Sequence, residues 1–347
     1  MIRSSYNSAL HRIALLTACA TFPLIFMGGL VTSHGAGMSV PDWPNSYGYN
    51  MFLFPPKFWV GGILYEHTHR LMGSVVGLLS IVLAVCAWRW ENRIWVRNLA
   101  LAVLAAVILQ GLLGGLRVVL IKLHLAIIHA CFAQAFFCLT ALMAMVTSRW
   151  WIESAPMDAG KWRSRLVILG LIATGAIYIQ LILGALMRHH EAGLAIPDFP
   201  ASYGHVLPPT NATELKAVNN WRAWSSEPAL NNRVTLAQIW LHFAHRAWAI
   251  VVAVTVIGFV VGATRHSSDL VHRPASVLAI LLVVQFALGI LTVLTRKPAD
   301  LATAHVAVGA LVLVSAFAIT VRAIRIGNHQ TQPAMDHLIP EGRPVLS

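Results

Sequence analysis

Eight apolar stretches of about 20 residues each, the length a helix needs to cross a hydrocarbon core, run along the chain near residues 13–33, 62–88, 98–116, 124–147, 166–187, 236–264, 274–295 and 302–321. The pattern predicts eight transmembrane helices with polar connections. Most connections are short, and the two long ones follow the first and fifth stretches, over residues 34–61 and 188–235. The first stretch follows Arg3 and Arg12, as a secretory signal would. It nevertheless runs through Gly28-Gly29-Leu30 into a segment that the second half of the chain repeats, so it is expected to be retained as a span.

That repeat sets the organisation. Residues 36–48 return as 192–204 with eight of thirteen positions identical, and an apolar segment carrying His-Arg follows each copy, as His69-Arg70 and His245-Arg246. The expected fold is an all-α polytopic membrane protein of two four-helix bundles. Four spans return the chain to its starting side, so the halves share one orientation about a pseudo-twofold axis along the membrane normal. The divisions are an N-terminal half over 1–147, a linker over 148–165 with Pro156, Asp158 and Gly160, a C-terminal half over 166–325 and a tail over 326–347.

Composition agrees: 57% of the 347 residues are hydrophobic and 11% charged, outside the range of soluble domains. Fourteen of the 25 Lys and Arg residues fall in segments on the N-terminal side of the membrane and nine on the other, which predicts cytoplasmic termini. The net charge of +12 then reflects topology and anionic lipid contact, and no nucleic-acid partner is expected. Cys19, Cys86, Cys131 and Cys138 all fall in predicted spans. No outer-loop disulfide is expected, and there is no CxxC metal or redox motif.

Candidate chemistry lies in the histidines. Aligning the halves pairs His69 with His245, and matching Gln110–Leu116 with Gln285–Leu291 brings His129 opposite His305 with a one-residue gap. Each half thus has a histidine on its second span and one on its fourth, all within about 15 Å of the outer surface at about 1.5 Å per residue. Two imidazoles facing each other across a four-helix bundle form an axial pair for haem. Arg70 and Arg246, adjacent to these ligands, are the expected propionate partners. A lone membrane histidine is more often a packing or proton-relay residue, and it is the fourfold recurrence that favours ligation. Zinc would want a compact Cys/His tetrahedron that this spacing does not supply.

The halves differ at one position. Glu66, on the face of His69, stands where the second half has His242, which suggests that one site does chemistry. Glu66 is also placed to pair with Arg70 four residues on. His67 points about 100° away and reads as a packing residue. His124, five residues before His129, is a candidate for supporting a haem or for the headgroup boundary. His34 and His190 read as solvated loop residues. Each repeated loop is expected to form a rigid lid, with Asp42 and Asp198 as turn formers and Trp43 and Phe199 as interfacial wedges.

Taken together, Gly28-Gly29 leading to Asp42-Trp43-Pro44, Glu66-x-x-His69-Arg70, His129, His245-Arg246 and His305 resemble the haem A synthase family of cytochrome oxidase maturation, over nearly the whole chain. The resemblance implies an oxidoreductase of the bacterial cytoplasmic membrane that oxidises the ring D methyl group of haem O, by successive hydroxylations, to the formyl group of haem A. It implies that His69 and His129 hold the substrate haem and that His245 and His305 hold a permanent haem B in electron transfer. Glu66 would be the catalytic carboxylate. Implied partners are haem O, the protohaem farnesyltransferase that supplies it, an electron acceptor, membrane lipids and a second copy in a homo-oligomer. Some members carry a cysteine pair in the first outer loop, whereas residues 33–61 here contain none, so no electron route through loop thiols operates. The long second loop, with Trp221 and Trp224, is open to docking a partner or another protomer. The competing readings are a dihaem b-type electron-transfer cytochrome, which has no need of the Glu66 asymmetry, and a haem transporter, for which broken helices and a midplane site are expected.

Overall fold

The computed structural model describes residues 6–153, 162–265 and 269–327. Ten α-helices occur among them: α1 Ser8–Ser33, α2 Gly62–Trp90, α3 Ile94–Val119, α4 Leu123–Val146, α5 Arg149–Glu153, α6 Trp162–His189, α7 Ala212–Ala223, α8 Leu236–Arg265, α9 Asp269–Leu294 and α10 Ala299–Gly327. All but α5 and α7 are long and apolar enough to cross a membrane. They are the eight predicted spans, and the chain is an all-helical multi-pass membrane protein.

The helices overrun the apolar stretches where end chemistry supports them. At α1 the Asn7 side chain accepts the Leu10 N–H at 3.0 Å, satisfying one of the free amides of the first turn. The helix therefore begins five residues before the apolar run. Two helices, α5 and α7, were absent from the hydropathy pattern because neither is long and apolar enough to cross a membrane. The first is α5, inside the expected linker 148–165, where Arg149 and Glu153 pair at 3.1 Å. Linker residues 154–161 and tail residues 328–347 lie outside the described residues.

Packing follows sequence order. In the first half α1 and α3 each pack on α2 and α4, and in the second α6 and α9 each pack on α8 and α10. Each set encloses its own apolar core, one with Leu10, Leu83, Val103 and Met143, the other with Leu166, Phe259, Leu278 and Leu313. Between them Ile25, Phe137 and Ala310 form a small seam, where α1 and α4 touch α10. Outward-facing Leu78, Val85, Ile250 and Val254 remain exposed, a surface that is stable in contact with lipid chains.

Candidate functional site

The four histidines predicted from sequence occupy one recurring arrangement. Each of α2, α4, α8 and α10 carries one, and each imidazole lies against a glycine of another helix. A Cβ on Gly28 (α1) would fall 3.0 Å from His69 Cε1, on Gly114 (α3) 3.0 Å from His129 Cε1, on Gly184 (α6) 3.2 Å from His245 Cε1 and on Gly289 (α9) 2.9 Å from His305 Cε1. Any larger residue would occupy the ring's place. The unit of construction is therefore a helix pair, glycine on one member and histidine on the other, present four times.

These pairs meet in twos. The His69 and His129 ring centroids are 6.5 Å apart with planes at 83°, and those of His245 and His305 are 6.5 Å apart at 67°. A metal–imidazole bond is about 2 Å and an imidazole nitrogen lies about 1 Å from its ring centre, so one ion shared between two such rings holds the centroids roughly 6 Å apart. Among the described residues no group of three or more His, Cys, Asp or Glu is arranged to hold a metal ion. Two imidazoles alone leave the other coordination positions open, and a macrocycle that brings its own equatorial nitrogens completes the set. His129 and His305 each direct Nδ1 at a backbone carbonyl, of Gln110 and Gln285 respectively, at 3.2 Å in both cases, which leaves Nε2 as the metal-facing nitrogen. The residues present fit haem.

Above each pair sits a repeated loop of one construction. Asp42 accepts the Tyr47 and Gly48 N–H groups at 2.7 and 2.8 Å, and Asp198 accepts those of Tyr203 and Gly204, both at 2.8 Å. Both turn residues have positive φ in each copy, 51° and 76° in the first and 55° and 78° in the second. The aspartate stabilises a turn that tyrosine alone disfavours. Burial pushes the Asp42 carboxyl up, but the Gly48 and Tyr47 amides and the nearby Arg70 outweigh it, and its pKa lies below the ordinary value. The turn-former expectation for both aspartates is met. Of the two expected wedges, Trp43 fills the space over Gly115 and Phe199 lies under Arg246, 5.8 Å from ring centroid to guanidinium carbon.

Glu66 and Arg70 bind the first lid to α2. Glu66 is 2% exposed; its Oε2 accepts the Val40 N–H at 2.9 Å and its Oε1 pairs with Arg70 at 3.0 Å. Arg70 also donates to the carbonyls of Val40, Asp42 and Asn45 at 2.7, 2.7 and 3.0 Å. In the second half His242 and Arg246 take the same positions. The Ile196 N–H points at His242 Nδ1 at 3.2 Å and Arg246 Nε at its Nε2 at 3.1 Å, while Arg246 donates to the Ala201 and Ile196 carbonyls at 3.1 and 2.9 Å. A carboxylate accepts both donors; a neutral imidazole has one acceptor nitrogen and satisfies one. The second lid has additional support that the first lacks. Buried Arg222 of α7 donates to the Leu194 carbonyl at 3.1 Å and the Tyr203 hydroxyl at 3.3 Å, and Arg296, ion-paired with Glu227, donates to the Pro197 carbonyl at 2.9 Å. The long second loop is therefore a brace for its lid.

The donors of Arg70 and Arg246, expected at propionates, are directed at lid carbonyls. Sequence reasoning passed over Arg117, whose guanidinium lies under Gly37 and donates to its carbonyl at 3.2 Å within electrostatic reach of His69 and His129. It also passed over Arg188, which crosses to the other half to donate to the Gly29 carbonyl and the Ser33 hydroxyl. Ser33 in turn lies 2.8 Å from Thr303, two residues before His305. His67 is a packing residue as expected, buried with Nδ1 3.2 Å from the Ser46 hydroxyl and its ring against Trp59 and Phe54. His124 is exposed in the first turn of α4, and His34 stacks on Tyr65 at 4.2 Å. The glycine contacts had one legible signal, Gln-x-x-x-Gly at 110–114, 180–184 and 285–289.

The chain is similar to named bacterial proteins. The chain is 29% identical over 210 residues to a Shouchella clausii protein named "Heme A synthase" and 30% identical over 212 residues to one of that name from Listeria monocytogenes. Each match covers 58% of this chain and 66% of the relative. A Geobacillus kaustophilus protein of the same name is 25% identical over 295 residues, 82% of either chain. Residues 11–317 match the COX15-CtaA family, described as "Cytochrome oxidase assembly protein". With the repeated lids and paired histidines inside that match, the chain belongs to the COX15-CtaA family of cytochrome oxidase assembly proteins.

Proposed function

We propose that the protein is a haem A synthase, an oxidoreductase that takes haem O between His69 and His129 and carries haem B between His245 and His305. The observation that carries the reading is an asymmetry within a repeat: two histidine pairs of one geometry, with a buried carboxylate beside only the first. A bound haem supplies the redox chemistry by which the ring D methyl group is hydroxylated stepwise to formyl. The protein's part is position, closure and charge. Glu66 sits one helical turn from His69 under a lid that excludes water, and its oxygens are fixed by the Val40 amide and Arg70. Held there, the carboxylate takes up a proton or stabilises positive charge as the methyl group is oxidised. Arg117 under the first lid is the cation for a propionate of the substrate, while Arg70 and Arg246, whose donors hold lid carbonyls, contribute positive charge beside each haem. His124, exposed in the first turn of α4, is assigned a supporting role at the first-half haem. Cytoplasmic termini, a bacterial inner-membrane location and haem sites toward the outer face complete the reading, with protohaem farnesyltransferase as the source of haem O.

A dihaem b-type electron-transfer cytochrome is the second reading, favoured by the fact that Glu66 and His242 hold equivalent lid positions. Mass analysis of haems extracted from protein expressed with a haem O supply separates the two. Haem B together with haem O, its hydroxylated form or haem A supports the synthase. Haem B alone in both sites, with haem O available, refutes it.

A further inference from the structure

Each lid has a cation against its glycine, and the two halves supply that cation from different places in the repeat. A Cβ on Gly37 would fall 3.2 Å from both terminal nitrogens of Arg117, and one on the equivalent Gly193 would fall 3.1 Å from Lys297 Cδ and 3.9 Å from its Nζ. Gly289 matches Gly114, so the position of Arg117 is taken in the second half by Thr292, whose hydroxyl donates to the Leu288 carbonyl at 2.7 Å. His305 matches His129, so the position of Lys297 is taken in the first half by Ile121, an exposed apolar residue. Neither cation is inherited from the duplicated frame. Both halves nevertheless place a positive charge at the same point of the lid.

The backbone is bent to do this. Arg296 and Lys297, between α9 and α10, have successive positive φ values of 64° and 61°, a region that non-glycine residues disfavour. The Lys297 N–H donates to the Thr292 carbonyl at 2.6 Å and holds the bend. The two side chains then meet one lid at two points, Arg296 at the Pro197 carbonyl and Lys297 at Gly193. Their charges differ in what they face. Arg296 is ion-paired with Glu227, whereas the Lys297 ammonium has no hydrogen bond or ion pair among the described residues. Desolvation, and then Arg188, lower its pKa, and Glu191 opposes them. Arg188 is also within electrostatic reach of His305, which lies six residues into α10, about 9 Å below its start.

We propose that Lys297 is the cation that binds a propionate of the second-half haem, doing there what Arg117 does in the first. The inference rests on the reading that His245 and His305 hold haem. The propionates are the anionic groups of such a haem, and an anion arriving beside Lys297 relieves its repulsion with Arg188. The other cations at this lid are engaged: each guanidinium nitrogen of Arg246 already meets a protein atom, and Arg296 has Glu227. A lysine offers a point charge where Arg117 offers a fork, so the two haems are held by different chemistry at the same place.

The test compares haem B with its dimethyl ester, in which both carboxylates are blocked. It uses the His69→Ala background, which on this reading leaves only the second-half haem. That haem is withdrawn by apomyoglobin and the protein is reloaded with either porphyrin, with affinity read from absorbance. The parent lysine favours haem B over the ester about tenfold or more. Lys297→Met weakens haem B by that factor and leaves the ester unchanged, and Lys297→Arg restores the preference. Equal affinity of the protein with Lys297 for the two porphyrins overturns the proposal and needs no substitution at 297. So does a Lys297→Met protein that loses both porphyrins alike or neither. Haem B that survives His305→Ala instead overturns the underlying site assignment, a separate result.

Discussion

Gly289→Ala is a direct probe of the glycine–histidine pairs. The added methyl would lie 2.9 Å from His305 Cε1, where ordinary contact starts at 3.4 Å, so the ring must retreat by about 0.5 Å. The His305 Nδ1 contact with the Gln285 carbonyl, 3.2 Å, stretches beyond hydrogen-bonding range if the ring moves away by that amount. Overpacking of this kind costs about 1–3 kcal/mol and the lost hydrogen bond about 1 kcal/mol. Together they amount to about 2–4 kcal/mol, or roughly thirty- to several-hundred-fold in haem affinity at about 1.4 kcal/mol per factor of ten. The control is Gly258→Ala on α8, where no atom lies within 4 Å of the new methyl and the better helix former adds up to about 1 kcal/mol. Haem B retained per chain through detergent purification, with the absorbance spectrum and midpoint potential, is the measurement. Gly289→Ala protein with full haem and an unshifted potential would show that the glycine does not position His305.

Glu66→Gln keeps an acceptor for the Val40 amide and loses the ion pair with Arg70, a destabilisation of about 1–2 kcal/mol; haem content in both halves should persist while haem A formation falls about 100-fold or more, and normal product would refute the catalytic role. Arg222→Ala removes three contacts from a buried guanidinium, a local loss of about 2–4 kcal/mol. Limited proteolysis should then cut residues 188–235 faster while the first loop stays resistant, and equal resistance of the long loop would refute the brace. Asp42 has a depressed pKa, so its contribution is full above the unfolded value of about 3.9 and disappears as pH falls through the lower folded value. Accessibility of the first lid should therefore rise on acidification from about pH 4 downward. Asp42→Asn should remove the pH dependence, and an identical profile in that variant would count against the turn as the titrating element.

Much of this was legible in the sequence. The spans could be read because a bilayer demands apolar runs of set length, and the histidines could be paired because the repeat fixes them in register. Asp42 and Asp198 were readable as turn formers because Asp–amide turns are local. The glycine cradles were not, because contact between Gly28 and His69 depends on how α1 and α2 pack, which no single-helix pattern encodes. Arg70 beside a ligand suggested a propionate partner, whereas lid carbonyls converge on it from 25 to 30 residues away in sequence. The polarity of 210–233 read as a loop, although Asn211 caps α7 through the Glu214 N–H at 3.0 Å while Glu214 takes the Thr210 amide at 2.7 Å, a capping arrangement visible in the residues once sought.

The two lid clamps also carry different charge. A carboxylate beside Arg70 sums to zero, whereas an imidazole beside Arg246 leaves at least one positive charge, on helices that otherwise correspond. At roughly 10 Å and an effective dielectric constant near 20, one unit of charge amounts to about 1.7 kcal/mol for an electron, or roughly 70 mV at about 59 mV per tenfold for a one-electron couple. On the proposed reading of two haems, this exchange taken alone favours an electron in the second half, and Arg117, within electrostatic reach of His69 and His129, works against it.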